Sequence, residues 1–288
     1  MSRSSPTALL RLLLVAALCC LAGCSRGKAP AQPGHAQEEP GKARHRPGTD
    51  PFFERPAALA AARRSGTPPP LLVMRSENPW AMVIGSDSPS FALYADGRVI
   101  YQTAQGYRTA ILTRAELQSL WQGVHPSALA GLAGSFAATE ITDQPQTYLL
   151  VYGARPFAIS IYGSLDSAEE RGKLPGPLVL AADRLRAFRA PRSTAWLPEK
   201  VEVIIWPYEY ALERVQWPSD WPTWKDSSAV RRGDSYSIYL SPSEIPRLDA
   251  LIARLPEKGA VEIAGKKWSV VYRFPFPHEE LWMPPKRS

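Results

Sequence analysis

The sequence predicts an α+β fold: antiparallel sheets of short strands and hairpins with a few helices, arranged as two related strand–helix–hairpin subdomains. Two observations carry the prediction. Asp96-Gly97 sits between the apolar runs 91–94 and 99–102, a strong hairpin signal because its two-residue turn asks for positive φ at both central residues. Strands joined by helical crossovers, as a doubly wound parallel sheet needs, are scarce along the chain.

The elements follow in order. Residues 55–64 (RPAALAAARR) form an alanine-rich helix candidate before a proline-rich stop at 68–70. Strands are expected at 71–75, 80–84, 91–94, 99–102 and 107–112. Thr113-Arg114-Ala115-Glu116 is a capping box that opens a helix to about 122, and a second small helix covers 126–132. Residues 147–152 and 157–162 read as a hairpin around Gly153-Ala154-Arg155-Pro156. A helix at 177–188 is anchored by Leu178, Leu180, Leu185 and Phe188.

The second half repeats this grammar. Strands at 201–206 and 236–240 lead into Ser241-Pro242-Ser243-Glu244, a second capping box with a helix to about 254. A hairpin at 261–263 and 268–274 follows, turning at 264–266. Ile111-Leu112-Thr113-x-x-Glu116-Leu117 matches Tyr239-Leu240-Ser241-x-x-Glu244-Ile245 in role, which suggests duplication, with chance as the rival because capping boxes are common. The folded region divides into 51–165, a helical connector at 166–195, and 196–288.

The N-terminus sets the expected address. Arg3 and Arg11 precede or flank an unbroken apolar run at 12–21. That run is short of the roughly 20 residues a spanning helix needs, and reads instead as the core of a secretory signal. Leu21-Ala22-Gly23-Cys24 resembles the lipobox of bacterial lipoproteins at all four positions. The resemblance implies cleavage before Cys24 and lipid attachment to its thiol. Cys19 and Cys20 lie in the discarded peptide, so the mature chain keeps one cysteine and no disulfide. Several acyl chains hold firmly where one holds only reversibly. With Ser25 rather than Asp after the cysteine, a Gram-negative host would send the protein to the outer membrane, on its periplasmic or surface face.

Residues 24–50, rich in Pro, Gly, Gln, Ala and charge, read as a lipidated cysteine and a disordered tether, with a flexible reach of roughly 25–30 Å. Without the signal the formal charge falls from +7 to +5; the tether carries +2 and the rest +3. Charge alone therefore gives no reason to expect nucleic acid, since no basic stripe with stacking aromatics accompanies it.

Catalytic chemistry is sparse. His35 and His45 fall in the tether, His125 at a helix–loop junction and His278 in a polar tail. None has metal-ligand spacing, and no G-x-S-x-G or phosphate-cradling motif occurs. No cofactor, metal or catalytic residue is expected. Glu140, Asp143, Glu209 and His125 are the groups an envelope hydrolase would have to use.

Tryptophan stands out. Trp206, Trp217, Trp221 and Trp224 crowd one segment with Tyr208, Tyr210 and three Trp-Pro pairs. Flat rings there either stack on a sugar or a proline-rich peptide, or pack into a satellite core. Phe91 to Tyr101 (FALYADGRVIY), Ile141-Thr142-Asp143-Gln144-Pro145, Trp206-Pro207-Tyr208-Glu209-Tyr210 and residues 268–277 (WSVVYRFPFP) resemble segments of a lipoprotein family of GC-rich bacteria. That resemblance implies an architecture and an envelope address, and no reaction. The expected function is a membrane-anchored, non-catalytic binding or structural protein. Its expected partners are the membrane, through the lipid, and an envelope protein or cell-wall polymer.

Overall fold

The structure, a computed structural model, describes residues 41–48, 60–62, 64, 66–81, 87–153 and 155–283. The signal, Cys24 and most of the 55–64 helix candidate lie outside these residues; 60–62 and 64 are helical. The fold is α+β, as predicted, on two open sheets dominated by antiparallel pairing. The strands of the first sheet are β1 (Arg44–Pro47), β2 (Pro70–Glu77), β3 (Phe91–Tyr94), β4 (Arg98–Thr103), β5 (Gly106–Ile111), β6 (Gly134–Ala137), β7 (Gln146–Val151), β8 (Phe157–Tyr162) and β9 (Thr194–Ala195). Their order is β1-β6-β8-β7-β2-β3-β4-β5-β9. The second sheet uses β10 (Val201–Pro207), β11 (Arg214–Gln216), β12 (Val230–Arg232), β13 (Ser235–Leu240), β14 (Ala260–Ile263) and β15 (Lys266–Arg273), in the order β11-β14-β15-β10-β13-β12.

Five named helices accompany them: α1 (Arg114–Val124), α2 (Pro126–Ala130), α3 (Ala168–Lys173), α4 (Gly176–Arg186) and α5 (Ile245–Ile252). The capping box that opens α1 is complete, with Thr113 and Glu116 exchanging side-chain and backbone bonds. That of Ser241 is not. Ser241 caps a 3₁₀ turn at Ser243 N–H, while Glu244 accepts instead from the Trp221 indole at 2.8 Å.

Both faces of the first sheet are buried, which is why β2 and β3 read as continuous apolar runs. Leu72, Met74, Leu93 and Leu149 face α1 and α4, which supply Leu120, Val124, Leu178 and Leu185. Val73, Ala92, Ile100 and Leu150 face the other way, against Phe276, Leu281, Trp282 and Met283. The C-terminal segment thus returns to cover the first sheet, where the sequence placed all of 196–288 in a second subdomain. It is clamped by polar contacts. Arg75 Nη1 donates to Trp282 O at 2.9 Å, Tyr94 OH to Pro277 O at 3.2 Å, and Arg273 grips Glu279 through both terminal nitrogens at 2.7 and 2.8 Å.

Three further expectations change. Arg44–Pro47, counted as tether, is an edge strand on β6, with the His45 ring stacked on Phe136 at 4.3 Å. Asp96 keeps negative φ; Gly97 alone is left-handed (φ +83), and its N–H donates to Tyr94 O, so a three-residue turn replaces the two-residue one. Trp80 and Ala81 are not strand, and 82–84 lie outside the described residues. Both halves do carry a strand, a helix and a hairpin in succession. Their hairpins dock differently: β7, the first strand of its hairpin, pairs with β2, whereas β15, the second of its own, pairs with β10.

Candidate binding cleft

Most of the tryptophan segment is core. Trp217 and Trp221 are buried and meet edge to face at 4.8 Å. Three indole nitrogens there are spent: Trp217 on Pro222 O (2.9 Å), Trp221 on Glu244 and Trp224 on Ile263 O (3.3 Å). A chain between β11 and β12 that lacks a ladder is held by these rings instead. Tyr208 is buried beside Ala211 and Ala260, and only Trp206 of the five candidates is exposed, at 43 %. Trp221→Phe keeps a ring and removes a hydrogen bond to a carboxylate, so urea unfolding is expected to show a loss of about 1–3 kcal/mol.

Glu140, Asp143 and Glu209 line neither the cavity between α1 and α4 nor the cleft between the sheets, and Glu140 pairs with Arg44. His125 borders a cavity between α1 and α4, at the left-handed junction that ends one helix and starts the next. Among the described residues no group of three His, Cys, Asp or Glu converges as a metal site, and no helix is long and apolar enough to cross a membrane.

A different site emerges where the two sheets meet. Strands β2 and β4 end, and β3, β5 and β7 begin, at one end of the first sheet; register pairs Glu77 with Gln146 and Thr103 with Gly106 there. This end presents Ser76, Thr147 and Gln102. Opposite stand β15 from Val270 to Arg273, Phe274 just beyond it, and the first turns of α5, with Ile245 and Asp249. Between them lies a cleft of about 1090 Å³, at the upper end of the size that small-ligand sites occupy.

Aromatic rings hold the walls together. Tyr107 meets Phe274 and Phe276 at 5.5 Å and Trp196 at 5.9 Å, while Trp196 meets Phe276 at 4.8 Å. Ser88 fastens the joint: its hydroxyl accepts from Phe274 N–H (2.8 Å) and donates to Phe274 O (3.1 Å). Rigid walls of this kind keep a cleft open without a ligand.

The cleft also gathers perturbed titratable groups. Burial raises the Asp87 carboxyl against the pull of the Asn78 N–H and the Arg75 charge. Burial pushes Tyr107 up to about 12, and burial, the hydrogen bond to Asp249 (2.7 Å) and its charge push Tyr272 up to about 12. These tyrosines hold their protons more tightly folded than unfolded, where the value is near 10.0. Their contribution to stability is complete below about pH 10 and is lost as pH rises through about 12. Tyrosinate absorbance is expected to appear together with unfolding, and Tyr272→Phe to move that transition to higher pH.

Sequence reasoning missed this site because its residues come from strand ends and loops scattered between positions 74 and 274. Only the aromatic content hinted at it. Compared with known protein families, curated proteins and solved structures, the chain matches none.

Proposed function

We propose that this is a lipid-anchored cell-envelope protein whose folded body binds a ligand in the cleft between its sheets, without chemistry of its own. The cleft carries the reading. It sets hydroxyls and amides from one wall against a carboxylate and aromatic rings from the other, the mixture of apolar surface and few placed polar groups that binding sites use. The address rests on the apolar run at 12–21 and on Leu21-Ala22-Gly23-Cys24.

Two measurements test the halves separately. Metabolic lipid labelling of the full chain is expected to mark the protein, and Cys24→Ser to release it from membranes; equal retention of that variant would sink the anchor. Capture of cell-wall fractions or envelope extracts by the full chain should be lost in Gln102→Trp, which fills the cleft from an exposed position. Unchanged capture would remove the cleft as the site.

A further inference from the structure

The two strands of the closing hairpin differ in length, and the difference leaves main chain unpaired. β14 pairs with β15 only from Val261–Trp268 to Ile263–Lys266, while β10 follows β15 from Trp268 to Arg273. Tyr208 N–H donates to Lys267 O at 2.9 Å, which fixes the phase: Lys267 turns its polar groups toward β10. Antiparallel alternation then aims Ser269, Val271 and Arg273 at β10, and Trp268, Val270 and Tyr272 away from it. Trp268 is met by Val261. Phe274, next in the same phase, is closed at both N–H and C=O by the Ser88 hydroxyl. Val270 and Tyr272 remain, two donors and two acceptors for which no strand is present among the described residues. They line the cleft.

An exposed strand edge is a template for another strand, and sheets that leave one open usually blunt it with charge, proline or a covering element. Here the edge residues are Val and Tyr. The carboxylate of Asp249 sits beside Tyr272, bonded to its hydroxyl at 2.7 Å, with no cation paired to it among the described residues. Asp87, also on the cleft, likewise has a backbone partner but no ion pair among them. Arg186, the one cationic side chain on the opposite rim among the described residues, is taken by Asp166.

We propose that the ligand of the cleft is an extended peptide that adds as a strand to β15 at Val270 and Tyr272, with a lysine or arginine side chain reaching Asp249. The inference rests on the cleft being the binding site and names the class of its occupant. Main-chain bonds supply affinity in such complexes, and alternate side chains supply selectivity. Alternate peptide residues turn their N–H and C=O toward β15, and the others turn theirs away.

The test uses the full chain in detergent and a displayed library of random linear peptides. Enrichment of β-forming sequences with a basic residue is expected, and the amides of Val270 and Tyr272 should become slow to exchange when a synthesised winner binds. N-methylation of one alternate set of peptide residues should weaken binding about tenfold or more, and of the other set hardly at all. Val270→Pro removes an outward donor that an edge position tolerates losing and should weaken binding; Asp249→Asn should weaken basic peptides about threefold to tenfold. If no peptide is enriched over the Val270→Pro protein, or both N-methylated sets bind alike, strand addition is overturned. If an oligosaccharide such as tetra-N-acetylchitotetraose then binds and Gln102→Trp abolishes it, the cleft stands and only the peptide falls. If Gln102→Trp changes nothing for any probe, both fall.

Discussion

A chain ending at Pro275 is expected to lose its cooperative fold. The missing segment carries Phe276, Leu281, Trp282 and Met283, each at most 8 % exposed and all against the outer face of the first sheet. Burying four such side chains contributes about 6–12 kcal/mol, comparable to the whole stability of an ordinary domain at about 5–15 kcal/mol. Truncation also strips Arg75 of the Trp282 carbonyl and Arg273 of Glu279. Circular dichroism and urea titration of the truncated chain check it: a broad or absent transition is expected, with aggregation through the bared Val73, Ala92 and Ile100. Trp282→Ala, which removes one ring and keeps the clamps, should lower stability and leave the transition sharp.

Arg273→Met is expected to cost up to about 3–5 kcal/mol, the penalty for removing one partner of a buried ion pair, since Glu202 keeps Arg232 alone as its cation. Glu202 is fully buried at the centre of the second sheet. It accepts from Ser237 (2.5 Å) and Arg232 (2.7 Å) on one oxygen and faces Arg273 with the other. Burial pulls the Arg273 guanidinium down, yet the hydrogen bonds and charges of Glu279 and Glu202 hold it above its ordinary value. Met keeps the volume and removes the charge. The double variant Glu202→Gln with Arg273→Met should cost less than the two single variants together, and a strictly additive cycle would refute the coupling.

What the sequence made legible was local. Thr113 and Glu116 announced their helix because both halves of the cap are three residues apart and nothing distant competes. The same spacing at Ser241 and Glu244 misled, since the Trp221 indole, from a segment distant in sequence, claims the carboxylate. The Asp96-Gly97 hairpin was legible in place and not in turn type, which Gly97 alone decides. β1 could not be read at all. Arg44-His45-Arg46-Pro47 is exposed throughout and has no apolar alternation; it becomes a strand because β6 offers an edge and Phe136 a ring. The tryptophans were conspicuous for packing reasons, and the cleft stayed hidden because no single segment carries it.

The returning C-terminus has a consequence for the order in which this chain can finish. Strands β1 to β8 have all been made once Tyr162 is added, yet the outer face of their sheet waits for residues 276–283. At about 5–20 residues per second of synthesis that interval is roughly 6–24 s. Through it Val73, Ala92, Ile100 and Leu150 have no cover, and the nascent first half is a client for whatever shields apolar surface during synthesis. Residues 276–283 act as a latch on the first sheet, so their synthesis, rather than that of the first half, marks the moment at which this sheet can be covered on both faces.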